Sequence, residues 1–174
     1  MKRRRVAPCV VDTNVAVAAN GKSNAGKSCT AACARQLNDI LRSGHVVIDE
    51  SPSAVLAEYR SNLSSSGQPG VGDQFYLWLL RNQYNPARCS RTKLTPTEDG
   101  SYQEFPKHHG LAHFDPSDRK FVALAAAHPS SPCILQAFDS KWWGFRHILR
   151  ECGVAVTFVC PEEIELRYRK KFGP

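Results

Sequence analysis

Four carboxylates in this chain stand where they could share a cation: Asp12, Glu58, Asp118 and Asp139. Asp12 closes the apolar run Val6 to Val11, and Asp139 closes a second run, Cys133 to Phe138. An Asp that ends a buried strand projects at the carboxyl edge of its sheet, where open α/β proteins bind ligands. Asp118 falls in the first turn of a helix opened by Asp115-Pro116-Ser117-Asp118, and Glu58 lies on a helix among the apolar residues Val55, Leu56 and Tyr59. Hard divalent cations take oxygen ligands, so carboxylates in this order could hold one or two Mg²⁺ or Mn²⁺ ions beside a phosphate. Thr13 and Asn14 after Asp12, and Ser140 after Asp139, are the supporting polar residues, while Asp115 and Asp49 are acids that could join the set. Singly, each acid also has a structural use. Asp115 can cap a helix, Asp118 can favour a first turn, Asp139 can turn the chain and Glu58 can pair with a base.

The elements that must position these groups alternate along the chain. Apolar runs at Val6–Val11, Val46–Ile48, Cys133–Phe138 and Val154–Val159 read as buried strands. Helical spacing begins near Ser28 and stops at Ser43-Gly44, then resumes through Val55 to Leu63, Phe75 to Leu80, Phe121 to Ala125 and Phe145 to Leu149, with a closing helix from Pro161. Asp49 and Ser51 offer caps, and Pro52 a first position, for the helix carrying Glu58. Strands alternating with helices predict an α/β fold, a central parallel sheet of four to five strands between helical layers. Residues 84–112 lack periodicity and read as an irregular surface insertion. With 174 residues, 42% of them hydrophobic and 22% charged, one globular domain accounts for the chain.

The net charge is +7 and the pI about 9.2, which favours a polyanionic partner such as nucleic acid. Basic residues gather at both ends, in Lys2-Arg3-Arg4-Arg5 and in Arg167, Arg169, Lys170 and Lys171. Lys22, Lys27, Arg119 and Lys120 are the candidate phosphate contacts near the acids. Seven cysteines without a CxxC pair suit reduced, buried thiols of a cytoplasmic protein better than disulfides or structural zinc. No long uncharged run predicts a membrane span, and Asp12 and Asn14 interrupt what could pass for a secretion signal.

The order strand–Asp, helix–Glu, helix-start–Asp, strand–Asp resembles the PIN-domain ribonucleases, as a stand-alone bacterial member. Val10-Val11-Asp12-Thr13-Asn14-Val15 resembles that family's opening motif and Leu56-Ala57-Glu58-Tyr59 its helical glutamate motif. Asp118-Arg119-Lys120-Phe121-Val122-Ala123-Leu124-Ala125 is similar to its third motif, Phe138-Asp139-Ser140 to its fourth, and Cys160-Pro161-Glu162-Glu163 to its usual close. The resemblance implies a Rossmann-like three-layer α/β/α fold and metal-dependent endonucleolytic cleavage of single-stranded RNA, with DNA open as a second substrate. It implies Asp12, Glu58, Asp118 and Asp139 as metal ligands and Asn14 as the residue orienting Asp12. It also raises a homodimer and an antitoxin or defence-system partner as expectations. The long region before Asp115 departs from the compact toxin members.

Other patterns compete. Gly21-Lys22-Ser23-Asn24-Ala25-Gly26-Lys27-Ser28 matches the phosphate-binding loop letter for letter, and His45 to Glu50 could pass for a Walker B strand. A nucleotide-binding switch or NTPase is therefore the rival reading, although it gives Asp118 and Asp139 nothing to do. His108, His109 and His113 have metal-ligand identities but sit in an aperiodic loop. Of Trp142 and Trp143, one could stack on a base while the other faces the core.

Overall fold

The computed structural model describes residues 7–174. The basic run Lys2 to Arg5, and Val6 at the start of the expected first strand, lie outside the described residues. Five strands, β1 (Cys9–Val11), β2 (Val46–Asp49), β3 (Cys89–Thr92), β4 (Cys133–Gln136) and β5 (Val156–Phe158), form one parallel sheet in the order β3-β2-β1-β4-β5. Seven helices flank it among the described residues: α1 (Thr13–Ala19), α2 (Lys27–Ser43), α3 (Ala54–Asn62), α4 (Val71–Asn82), α5 (Arg119–Ala127), α6 (Ser140–Glu151) and α7 (Pro161–Phe172). The result is the expected three-layer α/β/α architecture, and none of these helices is long and apolar enough to cross a membrane.

Neighbouring residues on a strand point to opposite faces. Val10 and Val11 on β1, and Val46, Val47 and Ile48 on β2, are all buried, so helices must cover both faces. A fully buried aliphatic side chain contributes about 1.5–3 kcal/mol, against about 1 kcal/mol net for a hydrogen bond. Packing therefore holds the three-residue β1 in place more than its ladder does. β1 pairs with β2 on one side and β4 on the other. The strand order reverses between β1 and β4, which opens a crevice beyond their carboxyl ends.

Several local expectations change. The residues Val15 to Ala19 read as an apolar continuation of the first strand, yet with Thr13 and Asn14 they form α1, because Asp12 turns the chain and caps it. The helix carrying Glu58 starts at Ala54 with Ser53 as its N-cap, not at Pro52, while Asp49 accepts from the Ala54 and Val55 amides (2.5 and 3.2 Å). Asp115 caps a short 3₁₀ turn, Pro116–Asp118, that feeds α5. The irregular insertion over 84–112 is corrected most. It contains β3, in full parallel register with β2, and it sends Phe105 and Leu111 into the core.

Candidate functional site

β1 delivers Asp12 to the crevice. Its Oδ1 accepts the Asn14 backbone N–H at 2.9 Å, which caps α1 and sets the carboxylate's rotamer. The expected orienting role of Asn14 thus comes from its main chain. Its side chain reaches across the crevice instead, where Oδ1 accepts the Ala137 N–H at 3.1 Å in the loop after β4. Asp139 lies three residues beyond the end of β4 and caps α6 through the Lys141 N–H at 3.0 Å. Ser140 opens that helix beside it. Asp118 reaches the same edge because α5 leads into β4 and must start at the carboxyl end of the sheet.

Glu58 arrives from α3, which is pinned to β1 by a hydrogen bond from the Tyr59 hydroxyl to the Val11 carbonyl. Its Oε1 accepts from Thr13 Oγ1 at 2.6 Å, and its Oε2 forms an ion pair with the Lys120 ammonium. The Lys120 ammonium also donates to the Ser117 carbonyl, and the residue is buried. Lys120 is therefore not the surface phosphate contact expected from the sequence. It is the counter-charge that lets Glu58 sit beside Asp12.

The electrostatics show which acids share space. Burial raises the Asp12 pKa well above the usual carboxylate range, and the Asp118 charge adds to it. The Asn14 N–H partly opposes the rise, while Glu58 and Asp139 raise it further. Asp118 is pushed up to about 6, chiefly by burial. The indole N–H of Trp142, donating to its Oδ2 at 3.1 Å, works against this, whereas the Asp139 and Asp115 charges raise it. Asp12 thus lies in the fields of Asp118, Glu58 and Asp139, and Asp118 in that of Asp139. Among the described residues, no three of them bring carboxylate oxygens within 4.8 Å of one another, so the ring is open. A donor set of hard oxygens, with Asp12 and Asp118 held protonation-prone chiefly by burial and further by neighbouring charges, could take Mg²⁺ or Mn²⁺. Glu58 is already matched by Lys120, which leaves less of its charge free for a cation than at Asp12, Asp118 or Asp139.

The remaining candidates separate from this group. Asp115 accepts from Ser117 and pairs with Lys141 at 3.3 Å, and the Ser117 hydrogen bonds hold it below the usual range. Asp49 is engaged by the start of α3. The Arg119 guanidinium donates to the Phe114 and Ala112 carbonyls and covers the Phe105 ring, so its head is committed to the fold. Lys22 and Lys27 are exposed. The phosphate-loop match follows helix α1, where a phosphate loop needs a strand, and the Gly26 N–H at the head of α2 is taken by the Glu163 carboxylate (3.0 and 3.1 Å). His108 and His109 stack on each other in the insertion, away from any convergent ligand set among the described residues.

Two features eluded sequence reasoning. Trp142, buried in the core against Phe114, is also the hydrogen-bond donor to Asp118, while Trp143 lies under Arg146. Its position in the first turn after Asp139 was the available signal. The expectation of reduced thiols fails at one pair: Cys29 and Cys160 form a disulfide across 131 residues, with Cys33 beside it. Cys29 sits in the first turn of α2 and Cys160 caps α7, so the docking of those two helix starts closes the bond.

The fold and site together define a class: a doubly wound sheet whose switch-point crevice is lined by acids from the end of β1, from α3, from the turn before α5 and from the loop after β4. No protein-family profile, curated relative or solved structure matches the chain.

Proposed function

We propose that the chain is a Mg²⁺- or Mn²⁺-dependent nuclease that hydrolyses phosphodiester bonds of single-stranded RNA, in the manner of the PIN-domain enzymes its motifs resemble. The observation that carries this reading is Asp12, a buried carboxylate facing the charges of Asp118, Glu58 and Asp139. Asp12, Asp118 and Asp139 would hold the cation, with Glu58 beside them. When bound, the metal supplies Lewis-acid stabilisation of the phosphate and an activated water. The Asn14 N–H aims Asp12, the Trp142 N–H aims Asp118, and Lys120 with Thr13 fixes Glu58. Lys22, Lys27 and the net charge of +7 draw in the polyanion. Products with 5′-phosphate and 3′-hydroxyl ends, a cytoplasmic setting, homodimerisation and restraint by an antitoxin or defence-system partner belong to the same proposal.

The test is cleavage of end-labelled single-stranded RNA, with single-stranded DNA in parallel, under Mn²⁺, Mg²⁺ or chelator, comparing wild type with Asp12→Asn. Cutting should need metal and vanish in the variant. The same metals at about 100 times Kd should stabilise the wild type by about 2.7 kcal/mol and Asp12→Asn by far less. Cutting that survives chelator or Asp12→Asn, or a melting curve indifferent to both metals, overturns the proposal.

A further inference from the structure

Away from the acidic crevice, three sulfurs converge. The Sγ atoms of Cys29, Cys33 and Cys160 all lie within 4.8 Å of one another, and all three residues are buried. Cys29 and Cys33 are one turn apart on the same face of α2, and Cys160 meets them from the head of α7. Cys33 takes no part in the disulfide, yet its Sγ stands 3.9 Å from that of Cys160. A tetrahedral ion with metal–sulfur bonds of about 2.3 Å spaces its sulfurs about 3.8 Å apart, so this pair is already at ligand spacing.

We propose that Cys29, Cys33 and Cys160 form a thiolate site for a soft metal ion in the reduced chain, and that the Cys29–Cys160 disulfide closes it. Thiolates select Zn²⁺, Cu⁺ and similar soft ions, whereas carboxylates select Mg²⁺ and Mn²⁺, so the two sites of this molecule do not compete for one cation. The setting suits thiolates. Cys29 occupies the first turn of the 17-residue α2 and Cys160 the N-cap of α7, so the positive ends of two helices face the cluster. Glu163, whose charge reaches Cys33, is held off by the Gly26 N–H and by Arg167 at 2.7 Å. Without a metal, Cys33 is an inert buried thiol, its pKa pushed up to about 12. Binding replaces its proton: one M²⁺ and three thiols give a tris-thiolate complex and three protons. Opening the site consumes one equivalent of a dithiol reductant. One of its thiolates attacks the Cys29–Cys160 bond and expels one cysteine, its second attacks the resulting mixed disulfide and expels the other, and two free cysteines and an oxidised dithiol remain. The chain thus holds a staple when oxidised and a metal when reduced, at the same junction of α2 with α7.

The test uses the full chain, either as the disulfide or reduced and freed of reductant without air, titrated with Co²⁺ as a spectroscopic probe and then with Zn²⁺. The reduced wild type should take up one equivalent of Co²⁺ with thiolate-to-metal charge-transfer absorption, release protons, and lose the band when Zn²⁺ is added. The oxidised chain should show no such band. Cys33→Ala spares the disulfide and should abolish the band, whereas Asp12→Asn should keep it. A reduced, folded wild type without the band, or a band that persists in Cys33→Ala, overturns the proposal and leaves a disulfide with a bystander thiol. If Cys33→Ala fails to fold by circular dichroism, the reduced-against-oxidised comparison of the wild type decides alone.

Discussion

Asp118→Asn should make the metal-free protein more stable at neutral and alkaline pH, the opposite of what most polar substitutions do. The Asp118 carboxyl has a pKa of about 6 in the fold, against the usual 3.8 of an unfolded chain. The folded state therefore binds this proton more tightly than the unfolded state does. The stabilisation is fully present below pH 3.8 and is lost as the pH rises through about 6. Each pKa unit is worth 1.36 kcal/mol, so by pH 8 the ionised carboxylate costs the fold roughly 3 kcal/mol. Asparagine keeps the shape and still accepts the Trp142 N–H, but it carries no charge to desolvate or to repel Asp139 and Asp12. Urea unfolding followed by tryptophan fluorescence, in chelator, should show the variant ahead by about 2–3 kcal/mol at pH 8. The two proteins should converge near pH 4. For a chain of this size the gain corresponds to about 4–12 °C in Tm. Saturating Mg²⁺ should erase the difference, because the wild type then has its counter-ion and the variant has lost a ligand. Parallel pH profiles for the two proteins, or a variant weaker than wild type at pH 8, would refute the reasoning.

Lys120→Met should cost about 2 kcal/mol in urea unfolding, since it leaves the Glu58 carboxylate beside Asp12 without its ammonium; adding Glu58→Gln should recover most of that loss. Trp142→Phe keeps an aromatic ring against Phe114 but removes the N–H from Asp118. Its carboxyl should then titrate above 6, and the alkaline onset of metal-dependent cleavage should move up in pH with it, as a pH–rate profile will show. Lys27→Ala should weaken RNA binding alike for all sequences and reduce the slope of log affinity against log salt by about 1, leaving cleavage of bound RNA intact.

What the sequence revealed and what it concealed divide along physical lines. β1, β2 and β4 are buried on both faces, so their apolar runs announced them. β3 was hidden because an edge strand needs no such run: Cys89-Ser90-Arg91-Thr92 has one buried residue followed by three partly exposed ones. α1 was missed because seven residues hold too little periodicity and its alanines and valines continue the strand's apolar run. Asp12, Asp118 and Asp139 were legible as candidates because each stands beside a strand end or a helix start, positions that topology sends to one edge. The raised ionisation of Asp12 and Asp118 was not legible, since it depends on depth. Lys120 was misread because a lysine in the first turn of a helix is ordinarily solvated, and only the fold turns it inward toward Glu58. The Cys29–Cys160 bond, its ends separated by 131 positions, leaves no local trace at all.

The hydrogen bond from the Ala137 N–H to Asn14 Oδ1 has a consequence for how the molecule breathes. It ties the first turn of α1, directly after β1, to the loop after β4, and separation of those two strands would take Asp12 away from Asp139. Opening of native proteins spreads inward from frayed ends, and the middle of the sheet is released last. The floor of the crevice therefore belongs to the slowest-exchanging part of the structure, while the exposed Lys22 and Lys27 lie between α1 and the first turn of α2, where amides open sooner. Warming should loosen the approach to the site long before it disturbs the spacing of the acids.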